Sequence, residues 1–190
     1  MKIFILSQCK NATTSLYHAI SALTNTKTYD WLGKDIISRG EYNWKYIWKQ
    51  CEKYNLNHDD PFPFIYKEVY QRYPNAKYIL TYRDTDEWLE SFSDGFEEAW
   101  RKKYVVKQFL YQSPYFDKDL LKKVYRQTNQ DILAFATEHI PAENFLHFDI
   151  QKLKDSRDKD NWNRLGNFLE CEVPSKLLSS PFPIKRIRKK

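Results

Sequence analysis

Two apolar segments, each followed by a polar turn and a helical pattern, constrain the fold more than any other feature of this sequence. Residues 2–7 are predicted to form a buried strand, followed by a helix over residues 13–23. Residues 76–82 are predicted to form a second buried strand, with a helix from about Thr85. Alternating strands and helices favour a parallel sheet, which binds ligands at the carboxyl ends of its strands. The chain is therefore predicted to be an α/β protein whose site directly follows these two strands.

The rest of the chain completes the alternation of helices and strands. Apolar residues at helical spacing over 42–55 favour a helix packed in a core, and a third short strand is predicted over 145–148. A further helix is predicted from Pro61 or Pro63 to about Tyr73. Residues 97–139 are predicted to form two or more helices with a break near Ser113 and Pro114, and a last helix is predicted over 162–169. Irregular or extended structure is predicted for residues 24–41 and for the segment that contains Pro174, Pro181 and Pro183.

Charge and cysteine content exclude several other classes of protein. The formal net charge of the 190 residues is +6, and residues 185–190 contribute five positive charges to it. The rest of the chain is close to neutral and is not predicted to bind nucleic acid. The three cysteines are widely spaced and predict neither a metal site nor a disulfide framework. No apolar run suits a secretory signal or a membrane span, so a reduced cytoplasm is the expected compartment.

The turn after the first strand has the composition of a phosphate-binding site. A helix N-terminus presents unpaired backbone N–H groups and a partial positive charge, which attract phosphate. Thr13, Thr14 and Ser15 add hydroxyl donors, and Lys10 adds a mobile positive charge. The alternative interpretation is an ordinary helix start beside an exposed lysine. The P-loop pattern of ATP and GTP hydrolases is absent, and no residues are arranged to hold Mg²⁺ as in a kinase.

The turn after the second strand offers a second anion site. Arg83 follows the strand directly, and Ser91 lies eight residues later, about two turns into the next helix. Both side chains can meet on one anion if that helix returns along the sheet. Asp84 is predicted to cap the helix, with Glu87 three residues on in a pattern similar to a capping box. The alternative is a surface Arg–Asp pair beside an ordinary helical serine.

Three motifs, taken together, carry a resemblance to a known family. They are KNATTSL at residues 10–16, the D-x-P pattern of Asp59 and Pro61, and YPNAKYILTYRDTDEWLESF at residues 73–92. In combination they resemble the cytosolic-type sulfotransferases, in the branch of small P-loop sulfotransferase-like proteins. The ending, NFLECEVPS and PFP within residues 167–183, resembles the close of that branch. The resemblance implies a three-layer α/β/α domain with a parallel sheet over residues 1–184, followed by a basic tail over 185–190.

This resemblance implies an activity and a set of site residues. The chain is expected to be an enzyme that transfers a sulfuryl group from 3′-phosphoadenosine 5′-phosphosulfate (PAPS) to a hydroxyl or amine. The loop expected to hold the 5′-phosphosulfate consists of Lys10, Asn11, Ala12, Thr13, Thr14 and Ser15. Arg83 and Ser91 are expected to bind the 3′-phosphate. The acceptor is expected to be a small molecule or a glycan, with no metal and no nucleic acid taking part.

The first turn departs from the family pattern. Many relatives carry glycines there, where this chain has Ser7, Cys9 and Ala12, and a β-carbon at position 12 narrows the approach of the backbone to a phosphate. The Gly-rich 3′-phosphate motif near the C-terminus of the larger enzymes is not recognisable. Cys9 is expected to be a small buried residue, or a reactive thiol if it is exposed beside Lys10.

The transfer reaction needs a general base, and three neighbouring residues are candidates. Asp59 is the first candidate because its D-x-P context matches the family position, with Asp60 and His58 as rivals. Pro61 favours an extended Asp60, so the two carboxylates are expected to point to opposite sides. Lys10 and the helix amides are expected to stabilise the charge that develops on the leaving phosphate. The alternative is a solvated turn that caps the next helix.

The sequence is compatible with two other functions. One is non-catalytic nucleotide binding on the same fold, and the other is a nucleic-acid-associated factor that uses the basic tail. The aromatic-rich helices between Trp88 and His139 are predicted to form a lid over the acceptor, although packing in a core is the commoner use of such side chains. The identity of the acceptor and the oligomeric state are left open by the sequence.

Overall fold

A parallel four-stranded sheet lies at the centre of the molecule. The computed structural model describes residues 1–27, 32–102, 104–149 and 157–183. The strands in this described part are β1 (Ile3–Ile5), β2 (Ile37–Ser38), β3 (Glu41–Tyr42), β4 (Leu56–Asn57), β5 (Lys77–Tyr82) and β6 (Phe145–Asp149). Its α-helices are α1 (Thr13–Thr24), α2 (Trp44–Lys53), α3 (Tyr66–Arg72), α4 (Thr85–Arg101), α5 (Val105–Leu110), α6 (Lys118–His139), α7 (Asp158–Phe168) and α8 (Ser175–Leu178). Short 3-10 helices lie at Gly33–Ile36, Phe62–Phe64 and Ala142–Asn144.

The order of strands in the sheet places the loops of interest side by side. The order is β4-β1-β5-β6, and every neighbouring pair is parallel. Ile3 of β1 is paired with Leu56 on one side and with Lys77 on the other. The chain passes from β1 to the edge strand β4 and then returns to β5, on the opposite side of β1. Such a reversal opens a crevice at the carboxyl ends of the strands, where α/β proteins bind ligands.

The sheet lies between two layers of helices. Ile3 and Ile5 pack with apolar residues of α1 and α7, whereas Phe4 and Leu6 pack into the larger cluster on the side of α2 to α6. This division follows from the strand period of two, which turns successive side chains to opposite faces. Ile79 of β5 likewise packs in the cluster of Ile3 and Ile5, whereas its neighbours in β5 pack in the larger cluster. The predicted three-layer α/β/α architecture is confirmed.

Local sequence signals located most of the predicted elements. The strands predicted over 2–7, 76–82 and 145–148 correspond to β1, β5 and β6, and the helices predicted after the first two are α1 and α4. The helix predicted within residues 42–55 is α2, and the predicted break near Ser113 and Pro114 separates α5 from α6. Asp84 caps α4 as predicted, because its Oδ1 accepts hydrogen bonds from the backbone N–H groups of Asp86 and Glu87.

Short elements account for the errors. No local pattern predicts β4 or the antiparallel β2–β3 hairpin, since two-residue strands are too short to produce a periodic pattern. The helix predicted from Pro61 or Pro63 begins only at Tyr66, because a 3-10 turn precedes it. The helix predicted over 162–169 begins at Asp158 and is not the last. α8 follows directly after Pro174, so the prediction of a wholly extended C-terminal segment is wrong.

The prediction of an aromatic lid is also wrong for the largest side chains involved. Trp88, Phe92, Trp100, Tyr111 and Tyr125 are all at most 2% exposed and belong to the large core cluster. The rings of Trp88 and Tyr125 stack with their centroids 4.2 Å apart. These buried rings pack α4, α5 and α6 against one another, because the burial of aromatic surface stabilises helix packing.

Three further predictions concern the chain as a whole. The basic tail over residues 185–190 lies outside the described residues. Within the described ranges, no helix has both the length and the apolar character needed to cross a membrane. Cys9, Cys51 and Cys171 are free thiols in the structure.

Candidate functional site

The loops that follow β1, β4 and β5 meet at the carboxyl edge of the sheet. The first loop, residues 7–12, lies between β1 and α1. Nη1 of Arg83 donates a hydrogen bond to the carbonyl oxygen of Lys10 over 3.3 Å and thereby joins the end of β5 to this loop. The hydroxyl of Thr13, at the start of α1, donates to Oδ1 of Asp59 over 2.5 Å. The structure thus brings together the three segments that the sequence singled out.

The first loop has an unusual backbone for a segment that contains no glycine. Lys10 has a φ of 66° and Ala12 a φ of 58°, both in the left-handed region that favours glycine. Ala12 occupies the N-cap position of α1, and its methyl group cannot accept a hydrogen bond from the helix. The first backbone N–H groups of α1 therefore keep their capacity to bind an anion.

Buried hydrogen bonds impose this conformation on the first loop. The hydroxyl of Ser7 accepts from the backbone N–H of Thr81 over 2.6 Å, and the Thr81 hydroxyl donates to the Asn11 carbonyl over 2.6 Å. The side-chain amide of Asn11 donates in return to the Thr81 carbonyl. From α4, the indole N–H of Trp88 donates to the Cys9 carbonyl over 3.1 Å. The loop is therefore attached to both β5 and α4.

A tyrosine that the sequence did not single out joins the two segments predicted to bind anions. The Tyr125 hydroxyl, on α6, accepts from the backbone N–H of Arg83 over 3.2 Å. It lies 3.1 Å from the Arg83 carbonyl and 3.3 Å from Oδ1 of Asn11, either of which can accept its single proton. Tyr125 lies 42 residues from Arg83 and 114 from Asn11, so no local pattern identifies it.

The predicted phosphate-binding side chains fall into two groups. Asn11 and Thr13 are buried, and their polar atoms contact Thr81 and Asp59 within the protein. Lys10 and Thr14 are exposed and Ser15 is half-buried. An incoming phosphate can therefore reach Lys10, Thr14 and Ser15, together with backbone amides, more readily than the side chains of Asn11 and Thr13.

Arg83 has hydrogen-bonding capacity that the described residues do not use. Its Nη2 donates to Oε2 of Glu87 over 3.0 Å, but its Nε is buried and has no hydrogen-bond partner in the described part of the chain. The side chain is 20% exposed. A buried donor without a partner is costly, and such a donor in a native protein often serves a ligand. Ser91 lies one turn beyond Glu87 on the same face of α4.

Of the three candidate bases, Asp59 is the most accessible. Its side chain is 20% exposed, whereas that of His58 is 2% exposed. Oδ2 of Asp59 lies 3.2 Å from Nδ1 of His58, whose ring stacks on Tyr17. Burial acts to raise the pKa of Asp59, but the hydrogen bonds and charge of His58, with the Thr13 hydroxyl, outweigh burial and leave this pKa below its ordinary value. Asp59 is therefore ionised at neutral pH.

Asp60 contacts a different helix from Asp59. Its Oδ2 accepts from the ammonium group of Lys107 on α5, and both side chains are almost fully buried. Asp59 and Asp60 thus have different partners, and the expectation that their carboxylates face opposite sides stays a prediction. Burial raises the pKa of the Asp60 carboxyl group. Burial acts to lower the pKa of the Lys107 ammonium group, but the nearby Asp60 carboxylate outweighs it and raises this pKa. The direct contact between the two groups favours the ionised pair. The pairing with Lys107, which the sequence did not predict, argues against Asp60 as a base.

Cys9 belongs to the same buried cluster. Its Sγ lies 2.8 Å from Nζ of Lys107, and burial raises the pKa of the thiol to about 12. The expectation of a small buried residue is confirmed, and the conditions for a reactive thiol are not met. Among the described residues, no three side chains of the His, Cys, Asp or Glu type are grouped so that they can hold a metal ion.

Comparison with known proteins agrees with this geometry. The profile of the sulfotransferase domain family matches residues 2–190. The chain is also similar to Ava biosynthesis cluster protein M from Aspergillus versicolor, with 24% identity over 208 residues that cover 93% of this chain and 78% of that protein. The family profile matches nearly the whole chain, and the chain has a parallel α/β fold in which the loops after the strands meet at one edge of the sheet. This protein therefore belongs to the sulfotransferase domain family.

Proposed function

We propose that this protein transfers a sulfuryl group from PAPS to a hydroxyl or amine acceptor. The observation that carries the proposal is the Nε donor of Arg83, buried and without a partner among the described residues, in a side chain that also contacts the first loop. A guanidinium group is suited to a phosphate because it donates in a planar fork. In this assignment Arg83 and Ser91 bind the 3′-phosphate.

The other end of the donor is assigned to the first loop. The uncapped N-terminus of α1 offers backbone N–H groups and a partial positive charge to the 5′-phosphosulfate. Thr14 and Ser15 add hydroxyl donors at its surface, and Lys10 adds a charge. Asn11 and Thr13 act from within, through Thr81 and Asp59, by holding the loop in place.

The chemistry assigned to the protein is a displacement at sulfur. The donor supplies the activated sulfuryl group, and negative charge moves to the leaving phosphate as its bond to sulfur breaks. Lys10 and the amides of α1 stabilise that charge. Asp59 accepts the proton of the acceptor hydroxyl or amine as the new bond to sulfur forms. Its contact with Thr13 fixes the carboxylate relative to the start of α1, and its lowered pKa keeps it in the ionised form that can accept the proton.

A comparison of nucleotides tests the donor assignment. Adenosine 3′,5′-bisphosphate should stabilise the protein by about 2.7 kcal/mol at a concentration 100-fold above its dissociation constant. AMP at the same concentration should stabilise it much less. Arg83→Lys keeps the charge but not the fork, and it should remove most of the difference between the two nucleotides. Equal stabilisation of the wild type by bisphosphate and AMP would overturn the assignment of Arg83 and Ser91.

Non-catalytic nucleotide binding is the second candidate, and one observation favours it. The left-handed residues Lys10 and Ala12 occupy positions where a β-carbon restricts the approach to a phosphate. A protein of this kind would be stabilised by the bisphosphate and would show no turnover of PAPS with any acceptor in a panel of phenols, amines and sugars. Turnover that is lost in Lys10→Ala, with bisphosphate binding retained, would exclude it.

A further inference from the structure

Gly95 occupies an unexpected place in the middle of α4. The chain contains only four glycines, and this one lies ten residues into a helix that runs from Thr85 to Arg101. A glycine inside a helix weakens it, because the unfolded chain has more conformational freedom and no side chain contributes contacts. Its presence therefore calls for a local reason.

The side chain of Lys10 lies where a side chain of residue 95 would be. A Cβ atom built on Gly95 would lie 2.5 Å from Cε and 2.8 Å from Nζ of Lys10. The same Nζ lies 5.3 Å from the centroid of the Phe96 ring, within range of a cation–π interaction. We call the surface formed by Gly95 and Phe96 the Gly95 notch. It accommodates the last two atoms of the Lys10 side chain.

The notch continues the face of α4 that carries the proposed 3′-phosphate residues. Glu87, Ser91 and Gly95 are spaced four residues apart and follow one face of the helix. Arg83 contacts Glu87 at one end of this row, and Lys10 lies at the other end. The two cations therefore flank Ser91, over a distance of about 12 Å between residues 87 and 95 along the helix axis.

We propose that Gly95 is a positioning residue, which leaves the space that directs the Lys10 ammonium group along the anion-binding face of α4. This inference rests on the proposed function, in which Lys10 stabilises the leaving phosphate. Any side chain at position 95 displaces Lys10 from the notch. The backbone of Lys10 is held by Arg83, so the displacement changes the position of the ammonium group without moving the loop.

Gly95→Ala is the direct test, because helix propensity and positioning predict opposite effects. Alanine is the better helix former, so the thermal midpoint should rise or stay the same. Turnover of PAPS should fall roughly 10- to 100-fold, with little change in bisphosphate affinity, because the charge is misplaced at the step where it is needed. Ala99→Gly, one turn further along α4, is the matched control and should lower the thermal midpoint with turnover unchanged. Unchanged turnover in Gly95→Ala would overturn the proposal.

The dependence on Lys10 is tested by combining the substitutions. In a Lys10→Ala background, Gly95→Ala should have no further effect on turnover, since both changes act on the same ammonium group. A full additional loss in the double variant would show that residue 95 acts by another route, and would overturn the proposal.

A measurement independent of activity separates this inference from the proposed function. The ring current of Phe96 should shift the proton NMR signals of the Lys10 ε-methylene group, which are identified as those missing in Lys10→Arg. Gly95→Ala should return these signals toward the position of a solvent-exposed lysine, and unchanged signals would overturn the notch. If Lys10→Ala were fully active, the proposed mechanism would fail, and the positioning role with it, while the NMR result would still report the contact.

Discussion

The helices that follow the neighbouring strands β1 and β5 begin in opposite ways. α4 follows Asp84, whose carboxylate accepts from the N–H groups of Asp86 and Glu87 over 2.9 and 3.0 Å. α1 follows Ala12, which has a φ of 58° and no side chain that can cap the helix. The first amides of α4 are capped by a residue of the local sequence, whereas those of α1 have no side-chain cap. The two proposed anion sites therefore differ in kind: main-chain amides are the main donors proposed for the first, and the guanidinium of Arg83 is the donor proposed for the second.

The two helix starts also differ in what holds them in shape. Residues within one turn specify the start of α4. The first loop depends on Thr81, Trp88 and Tyr125, which reach it from β5, α4 and α6. A loop held from outside can keep left-handed residues that its own sequence disfavours, because the surrounding contacts determine the conformation. Substitutions at the two helix starts and in the residues that contact them test this difference.

The largest effect is expected where Asp59 contacts the start of α1. Asp59→Asn retains the shape of the side chain and removes its basicity, so turnover of PAPS should fall about 10²–10⁴-fold. Bisphosphate affinity, measured by calorimetry, should change little. Asp60→Asn is the comparison, and at a temperature where both variants are folded it should lose less turnover. The opposite ranking would transfer the role of base to Asp60.

The next effect concerns the buried pair that lies behind the first loop. Lys107→Met leaves the Asp60 carboxylate buried without its partner and should lower the free energy of unfolding by about 3–5 kcal/mol. Urea denaturation measures this change. Lys102→Met removes an exposed ion pair with Glu98 and should have little effect. Equal losses of unfolding free energy in the two lysine variants would contradict the presence of a buried ion pair.

Removal of the cap should affect the stability of α4 and not the binding of ligand. Asp84→Ala should lower the free energy of unfolding by about 1 kcal/mol, with bisphosphate affinity retained. Asp117→Ala, at the start of α6, is the matched control because Asp117 accepts two hydrogen bonds of 3.0 Å in the same way. A large loss of bisphosphate affinity in Asp84→Ala alone would mean that the start of α4 is itself part of the anion site.

The opposite change is expected at the start of α1. A left-handed alanine destabilises the folded protein by roughly 1–2 kcal/mol, and Ala12→Gly removes this strain. The glycine also increases the freedom of the unfolded chain, which lowers stability by about 0.4–1 kcal/mol. The net result should be a modest gain in stability and tighter bisphosphate binding. Ala22→Gly, at an exposed position of the same helix, should be destabilising. A loss of stability in both variants would contradict the strained conformation of Ala12.

The smallest effect is the pH dependence that Asp59 contributes to stability. Because its pKa is lower in the folded protein, its ionisation stabilises the fold above the unfolded value of about 3.9, and this contribution is lost as the pH falls through the folded pKa. Between about pH 5 and that lower pKa, the wild type should lose more unfolding free energy than Asp59→Asn. Parallel profiles in urea denaturation would show that the pKa is not lowered.

Local patterns in the sequence specify the α/β architecture and the position of the two predicted anion-site segments. The apolar runs that became β1 and β5, the cap at Asp84, and Arg83 directly after a strand are all local features. Periodicity and turn chemistry act over a few residues, so they can be read without knowing which segments meet. In a parallel sheet the carboxyl ends lie at one edge, and the convergence of the two segments follows from that rule.

Contacts between distant segments determine which side chains support the candidate site and which face it. The pairing of Lys107 with Asp60, the bridge made by Tyr125, and the space that Gly95 leaves for Lys10 each join segments separated by more than 40 residues. Local sequence does not specify these contacts, because a lysine, a tyrosine or a glycine in a helix has the same local pattern whether it faces solvent or a distant loop. Packing around the sheet determines which of these alternatives is realised, since buried polar groups must find partners wherever the fold places them.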